Sequence, residues 1–221
     1  MYKTKPYHPC DMPASEELNV LVLNASLKHT KEETSNTEEL SELVLKYMSQ
    51  HGSKIKSEII RLADKNIPVG LKYKEGENDD WPDIVKKLKE ADVVIFATPI
   101  WWGSRSSLMQ RIIERMDALD EDYIASGRSA LLNKVAGITI TGSEDGAQAT
   151  LGSIMEVLTF MNFTLPPECC AYWVGEVGQP PAEDRAKRLK NKATDHMAKN
   201  LARNLVYYAN LLKLHPLEIK K

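Results

Sequence analysis

The sequence predicts an α/β fold in which a five-stranded parallel sheet is sandwiched between two layers of helices. Three observations lead there. Strand-like and helix-like segments alternate five times along 221 residues, with no internal repeat and no low-complexity segment. The strands are short aliphatic runs rather than alternating patterns, as expected where both faces of a strand are buried. Parallel neighbours need crossover helices, so this alternation calls for helices on both faces of the sheet.

Leu18 to Leu23 is the first such run, and it ends at Asn24. Asn36 to His51 carries Leu40, Leu43, Val44 and Tyr47 at helical spacing and stops at Gly52. Lys56 to Leu62 reads as the second strand, and Asp64 to Asp80 as a long polar connection. Trp81-Pro82 opens a helix, with proline suited to the first turn. Val93 to Ala97, the most hydrophobic segment, is the third strand, and Leu108 to Leu119 a helix. Val135 to Ile140 is the fourth strand, followed by a helix from Ala147 to Met161, and Cys169 to Val174 is the fifth strand. From Glu183 the pattern predicts one long amphipathic helix. Its stripe runs through Ala186, Leu189, Ala193, Met197, Leu201, Leu205, Tyr208 and Leu212, and covers the sheet or a partner subunit. The chain thus divides into an N-terminal extension (1–17), one α/β domain (18–182) and a C-terminal helix (183–221).

Composition narrows the function. Hydrophobic residues at 43%, charged residues at 27% and a net charge of -2 suit one globular domain, and favour neither nucleic acid nor a membrane surface as partner. Met1 to Glu17 has no apolar core suited to a signal peptide, and Ala91 to Trp102 is too short to span a bilayer, so a soluble cytoplasmic protein is expected. Cys10, Cys169 and Cys170 show no metal-ligand spacing and no paired framework; no metal site is expected, and the role of the adjacent pair is left open.

Ligands of open parallel sheets bind at the carboxyl ends of the strands, which directs attention to three loops. The first, Asn24-Ala25-Ser26-Leu27-Lys28 through Ser35-Asn36-Thr37, has neither a dinucleotide fingerprint nor a P-loop. Its hydroxyl and amide side chains at a helix N-terminus still suit an anion, and Lys28 adds charge. Ser35 and Glu38 equally fit a capping box, and Glu32, Glu33, Glu38 and Glu39 crowd a phosphate there. The second loop, Thr98-Pro99-Ile100-Trp101-Trp102-Gly103-Ser104, offers adjacent tryptophans as a wall for a planar ligand, or as a lid on the core. The third, Thr141-Gly142-Ser143-Glu144-Asp145-Gly146, reads as a capped turn or as backbone N–H groups aimed at a heterocycle.

Together, Thr98-Pro99-Ile100-Trp101 with Gly103, Glu114-Arg115-Met116-Asp117, Glu144-Asp145-Gly146-Ala147 and Tyr172-Trp173-Val174-Gly175-Glu176 resemble the flavodoxin-like NAD(P)H-dependent FMN reductases. The resemblance runs from about Leu18 to Glu176 and implies strand order 2-1-3-4-5. It implies that Ser26, Lys28, Ser35, Asn36 and Thr37 contact the FMN phosphate. Pro99, Ile100, Trp101, Trp102 and Gly103 would line the ring, while Thr141, Gly142, Glu144, Asp145 and Gly146 face its polar edge. Glu114 and Arg115 would form a helix-to-loop ion pair supporting the second loop rather than a catalytic dyad. The family's phosphate loop usually opens Gly-Ser-x-Arg, whereas here Asn24, Ala25 and Lys28 stand, and the loop is longer.

The activity so implied takes hydride from NADPH or NADH onto FMN and passes electrons to a quinone, azo or nitro compound. The cofactor carries that chemistry, so no catalytic side chain is assigned. His29, His51 and His196 fall in predicted surface segments. Similar proteins are commonly dimers, so a homodimer is expected. A flavodoxin-type electron carrier is the second reading, disfavoured by the nearly neutral charge. A flavin-binding regulatory protein is the third.

Overall fold

Side-chain alternation divides the first strand between two cores. Leu21 and Leu23 enter one cluster, while Leu18, Val20 and Val22 enter the other. The third strand repeats the pattern, with Val94 and Phe96 on one face and Val93, Ile95 and Ala97 on the opposite face. A sheet buried on both sides follows from period-two alternation within unbroken apolar runs.

The computed structural model describes residues 17–31 and 34–218. The strands are β1 (Glu17–Asn24), β2 (Lys54–Arg61), β3 (Val93–Trp101), β4 (Ser104–Arg105), β5 (Val135–Gly142) and β6 (Cys170–Val174). The sheet runs β2-β1-β3-β5-β6, parallel throughout, with the two-residue β4 paired antiparallel to β3. With β4 set aside, the order is the expected 2-1-3-4-5. The edge strand β2 exposes Lys54, Lys56 and Glu58, charges that discourage pairing with another sheet.

Helices α2 (Trp81–Glu90), α3 (Ser107–Arg115), α4 (Asp117–Ser126) and α5 (Ala147–Phe160) contribute to one core. Helices α1 (Asn36–Met48) and α7 (Lys192–Leu214) cover the other face. Between β6 and α7 lies α6 (Pro181–Lys190). The structure therefore has the flavodoxin-like three-layer arrangement.

Several boundaries differ from the sequence expectation. The predicted helix over 36–51 ends at Met48, and the second strand starts two residues earlier and gives way to a 3-10 turn at Leu62–Asp64. The third strand continues to Trp101, which places Pro99, Ile100 and Trp101 in β3. The helix predicted over Leu108–Leu119 is two helices meeting at Met116, whose amide is shared between the Ile112 and Ile113 carbonyls, a tightened last turn. The single tail helix is also two. Asn191 adopts extended backbone (φ -75°, ψ 110°) and its side chain accepts from the Thr194 amide, capping α7. Ala186, Leu189 and Ala193 of the predicted stripe are consequently exposed, while Leu201 and Leu205 are fully buried against the chain's own sheet. Of the expected N-terminal extension, residues 1–16 lie outside the described residues, as does Cys10.

Candidate functional site

The first loop leaves β1 through a buried polar turn. Asn24 is fully buried; its Oδ1 accepts from the Ser26 amide at 3.1 Å, and Ser26 Oγ accepts from the Lys28 amide at 3.3 Å. Asn24 Nδ2 donates to Ser35 Oγ (3.4 Å) and to Glu38 Oε2 (2.7 Å), pinning the start of the loop to the start of α1. Ser35 caps α1 by accepting from the Glu38 amide at 3.2 Å. The capping geometry uses the third amide of the helix, and the amides of Asn36 and Thr37 have no partner among the described residues. The outer arm of the loop is held at Asp64, which accepts from His29 Nδ1 (3.0 Å) and from the Thr30 amide (3.2 Å).

Of the glutamates expected to crowd this loop, Glu38 and Glu39 are ion-paired. Glu38 meets Arg61 of β2, with Nη2 at 2.7 Å and Nε at 2.9 Å. Glu39 turns to α6, where Arg185 reaches it at 2.6 Å and Arg188 pairs with its other oxygen. Partial burial opposes ionisation of Glu39, but bonding and charge from the two arginines outweigh it and hold the carboxyl below its ordinary value. Both first-turn acids are thereby neutralised, and the helix dipole remains available to an anion. Glu32 and Glu33 lie outside the described residues.

The second loop is a tight hairpin. Trp101 pairs with Ser104, and the two residues between them both have positive φ, 49° at Trp102 and 74° at Gly103. That is the signature of a type I′ turn, where Asn-Gly is ordinarily favoured. Trp102 is 89% exposed and Trp101 is 48% exposed. The third loop grips this hairpin. Glu144 Oε1 accepts from the Trp102 amide at 3.0 Å, and a Cβ on Gly146 would lie only 2.6 Å from Gly103 Cα. The first and third loops also meet, through a 2.7 Å hydrogen bond between the Thr37 and Thr141 hydroxyls. One turn below, Ser41 and Thr139 repeat the contact at 2.7 Å.

The three loops thus share the carboxyl edge of β1, β3 and β5. The sequence profile of the NADPH-dependent FMN reductases matches residues 18–176, a span that contains all three. The chain belongs to this family. That family is one of NADPH-dependent flavin oxidoreductases. A Streptomyces davaonensis protein, 8-demethyl-8-aminoriboflavin-5′-phosphate synthase, is 28% identical over 208 residues, covering 90% of this chain and 80% of that one. A Mycobacterium bovis protein called divalent metal cation transporter MntH is 29% identical over 96% of this chain, but the chain spans 32% of that protein's length. No helix of the described residues is long and apolar enough to cross a membrane. Among solved structures, RosB with the bound intermediate 8-demethyl-8-formylriboflavin-5′-phosphate superposes with a TM-score of 0.78 at 28% identity, covering 90% of this chain and 82% of that one.

Against this family background, the expected site residues fall into groups. Ser26, Ser35, Asn36 and Thr37 cluster at the start of α1, with Lys28 exposed on the loop beyond them. Ile100 is buried, and a Cβ on Gly142 would come within 2.8 Å of its own Cβ, so the Ile100 side chain belongs to the core and only its backbone faces the edge. Pro99 lies in register with Thr141, and Asp145 is exposed. The expected helix-to-loop ion pair forms at Arg115 but not at Glu114, and it holds the 65–80 connection instead of the second loop. Glu114 accepts from Gln110 at 2.8 Å, whereas Arg115 is buried against Asp79 at 2.8 Å and supports the 65–80 connection.

Sequence reading missed Ser106, which caps α3 and donates to the Ala25 carbonyl at 2.8 Å, joining the first loop to the second. It also missed Asp184 and Arg188, which contact Asn36 from α6. Cys169 and Cys170 form no disulfide among the described residues, and burial pushes both thiols up, which keeps them protonated.

Proposed function

We propose that the protein oxidises NAD(P)H through FMN seated on these three loops and reduces a small planar acceptor such as a quinone, azo or nitro compound. The observation that carries this is the mutual clamping of the loops at one sheet edge, through Thr37–Thr141 and Trp102–Glu144. The residues fit the group. Two amides at a helix N-terminus, without partners among the described residues, suit a phosphate, with Ser26 and Ser35 nearby and Lys28 on the loop beyond. Trp101, Trp102 and the backbone from Pro99 to Gly103 supply a wall, and the Thr141–Gly146 turn supplies polar backbone for the pyrimidine edge. FMN, when bound, supplies the hydride-accepting ring that can release electrons singly or in pairs. The protein's part is to orient that ring and keep one face open.

Purified protein mixed with FMN should show a shifted, structured flavin spectrum, and anaerobic NADPH alone should bleach it. Failure to bleach without a partner reductase would favour the electron-carrier reading. Trp101→Ala should weaken FMN binding by about tenfold, the scale of one lost aromatic contact. Unchanged affinity in a fluorescence titration would return Trp101 to a purely structural role.

The flavin-processing relative, 28% identical with most of both chains covered, favours a second reading in which the flavin phosphate is itself the substrate. Mass analysis of the flavin recovered after prolonged aerobic turnover separates the two, since a cofactor returns unchanged. A homodimer completes the proposal; Ile124, Phe160 and Val177 are exposed apolar residues available to its interface, and sedimentation velocity checks it.

A further inference from the structure

The family match ends at Glu176, yet α6, which begins at Pro181, contacts the heart of the first loop. Asp184 is buried; its Oδ2 accepts from Asn36 Nδ2 at 3.2 Å and its Oδ1 from Trp173 Nε1 at 2.8 Å. A Cβ on Gly175 would fall 2.0 Å from Asp184 Oδ1, so the carboxylate lies against the backbone leaving β6. Arg188 is 4% exposed, donates from Nη2 to Asn36 Oδ1 at 3.3 Å and pairs with Glu39. Its Nε is buried without a partner among the described residues. Asn36 is therefore gripped on both ends of its amide by one helix that comes from 148 and 152 residues away.

The electrostatic consequence is larger than the geometric one. Asn36 is the first residue of α1 and Glu39 lies in the same first turn. An unpaired carboxylate there would repel a phosphate at the helix terminus, in a partly buried setting where screening is weak. The loop itself carries Asn24 and Ala25 and an exposed Lys28, with no arginine between Asn24 and Thr37. Beyond the exposed Lys28 and Lys31 of the loop, positive charge reaches this helix end from Arg61 beneath and from Arg185 and Arg188 beside it.

We propose that α6 is a working part of the flavin site, in which Arg188 and Arg185 together cancel Glu39 and Arg188, with Asp184, fixes Asn36, so that the protein prefers flavins bearing a 5′-phosphate. Arg188 and Asp184 are positioning residues in this scheme and touch no reacting atom. The proposal rests on the reading that the start of α1 receives the flavin phosphate.

The test compares FMN with riboflavin, binding each to the full chain by fluorescence titration at low salt. Wild-type protein should bind FMN far more tightly than riboflavin; equal binding would overturn the phosphate reading itself, whatever α6 does. Arg188→Gln should raise the FMN dissociation constant by about tenfold and leave riboflavin within about twofold. Arg188→Lys should lose less, and adding Glu39→Gln to Arg188→Gln should restore most of the FMN affinity. Equal losses for both flavins, or no recovery with Glu39→Gln, would overturn the α6 proposal while leaving the phosphate site intact. Should Arg188→Gln fail to fold, Glu39→Gln alone decides. It keeps the arginine's contact with Asn36 and should bind FMN as tightly as wild type or tighter, whereas selectively weaker FMN binding counts against the proposal.

Discussion

Gly146→Ala is expected to lower FMN affinity by about a hundredfold. Two costs coincide at this position. Its φ of 125° belongs to a region that residues with a Cβ rarely adopt. The added carbon would also sit 2.6 Å from Gly103 Cα and 2.7 Å from its carbonyl carbon and oxygen. All three contacts are backbone, so no side chain can swing away to relieve them. Relief requires the Trp102–Gly103 tip to lift or the third loop to retreat, and either breaks the 3.0 Å bond from the Trp102 amide to Glu144. The two loops that we propose to hold opposite parts of the flavin ring would then separate. Titration with FMN and with riboflavin should show the same loss, because the damage lies at the ring rather than the phosphate. Equal affinity for Gly146→Ala and wild type would show that the loops are not the ring's walls.

That position also shows what sequence reveals and what it hides. Gly103 and Gly146 each mark a special turn, and the two tryptophans in a loop mark a surface that is not merely solvated, so the second and third loops are legible locally. The five parallel strands are legible for a similar reason, since each is an apolar run bounded by a turn. The partners of the first-turn acids are not. Glu38 finds Arg61 across 23 residues and Glu39 finds Arg188 across 149, and no local pattern encodes either pairing. The charges of Glu38 and Glu39 therefore weigh less against an anion at the start of α1 than the local sequence suggests. The breaks at Met116 and Asn191 are hidden differently. Apolar spacing continues across both, and a helix-capping Asn inside a periodic stretch looks like any exposed polar residue until its backbone leaves the helix. Support of the second loop by Glu114 and Arg115 failed because the buried arginine finds Asp79 across 36 residues, while Glu114, on a different side of the helix, stays at the surface.

Arg115 is where the largest loss of stability is expected. Its guanidinium donates to the carbonyls of Pro68 (3.0 Å), Lys72 (3.0 Å) and Tyr73 (3.3 Å) and to Asp79 Oδ2 (2.8 Å). It also lies 5.8 Å from the Trp81 ring centroid. Both side chains of the ion pair are wholly excluded from solvent. Arg115→Met keeps much of the volume but strands a buried carboxylate and three carbonyls, which should cost about 3–5 kcal/mol. In a domain of this size that lowers the melting temperature by about 10 °C. The pH dependence gives the sharper signature. Burial alone would raise the Asp79 carboxyl, but the amides of Glu75 and Trp81 and the Arg115 guanidinium outweigh it and hold its value below the ordinary 3.8. Asp79 therefore stabilises the wild type above its unfolded value, a contribution lost as pH falls through the lower folded value. Without the arginine, the folded value moves up. The penalty of the buried charge is then present at neutral pH and relieved on acidification. Denaturant melts should accordingly show the deficit of Arg115→Met shrinking between pH 7 and about pH 4, and Asp79→Asn in the same background should recover part of it at pH 7. A deficit independent of pH would mean that the carbonyl contacts, rather than the ion pair, hold the 65–80 connection in place.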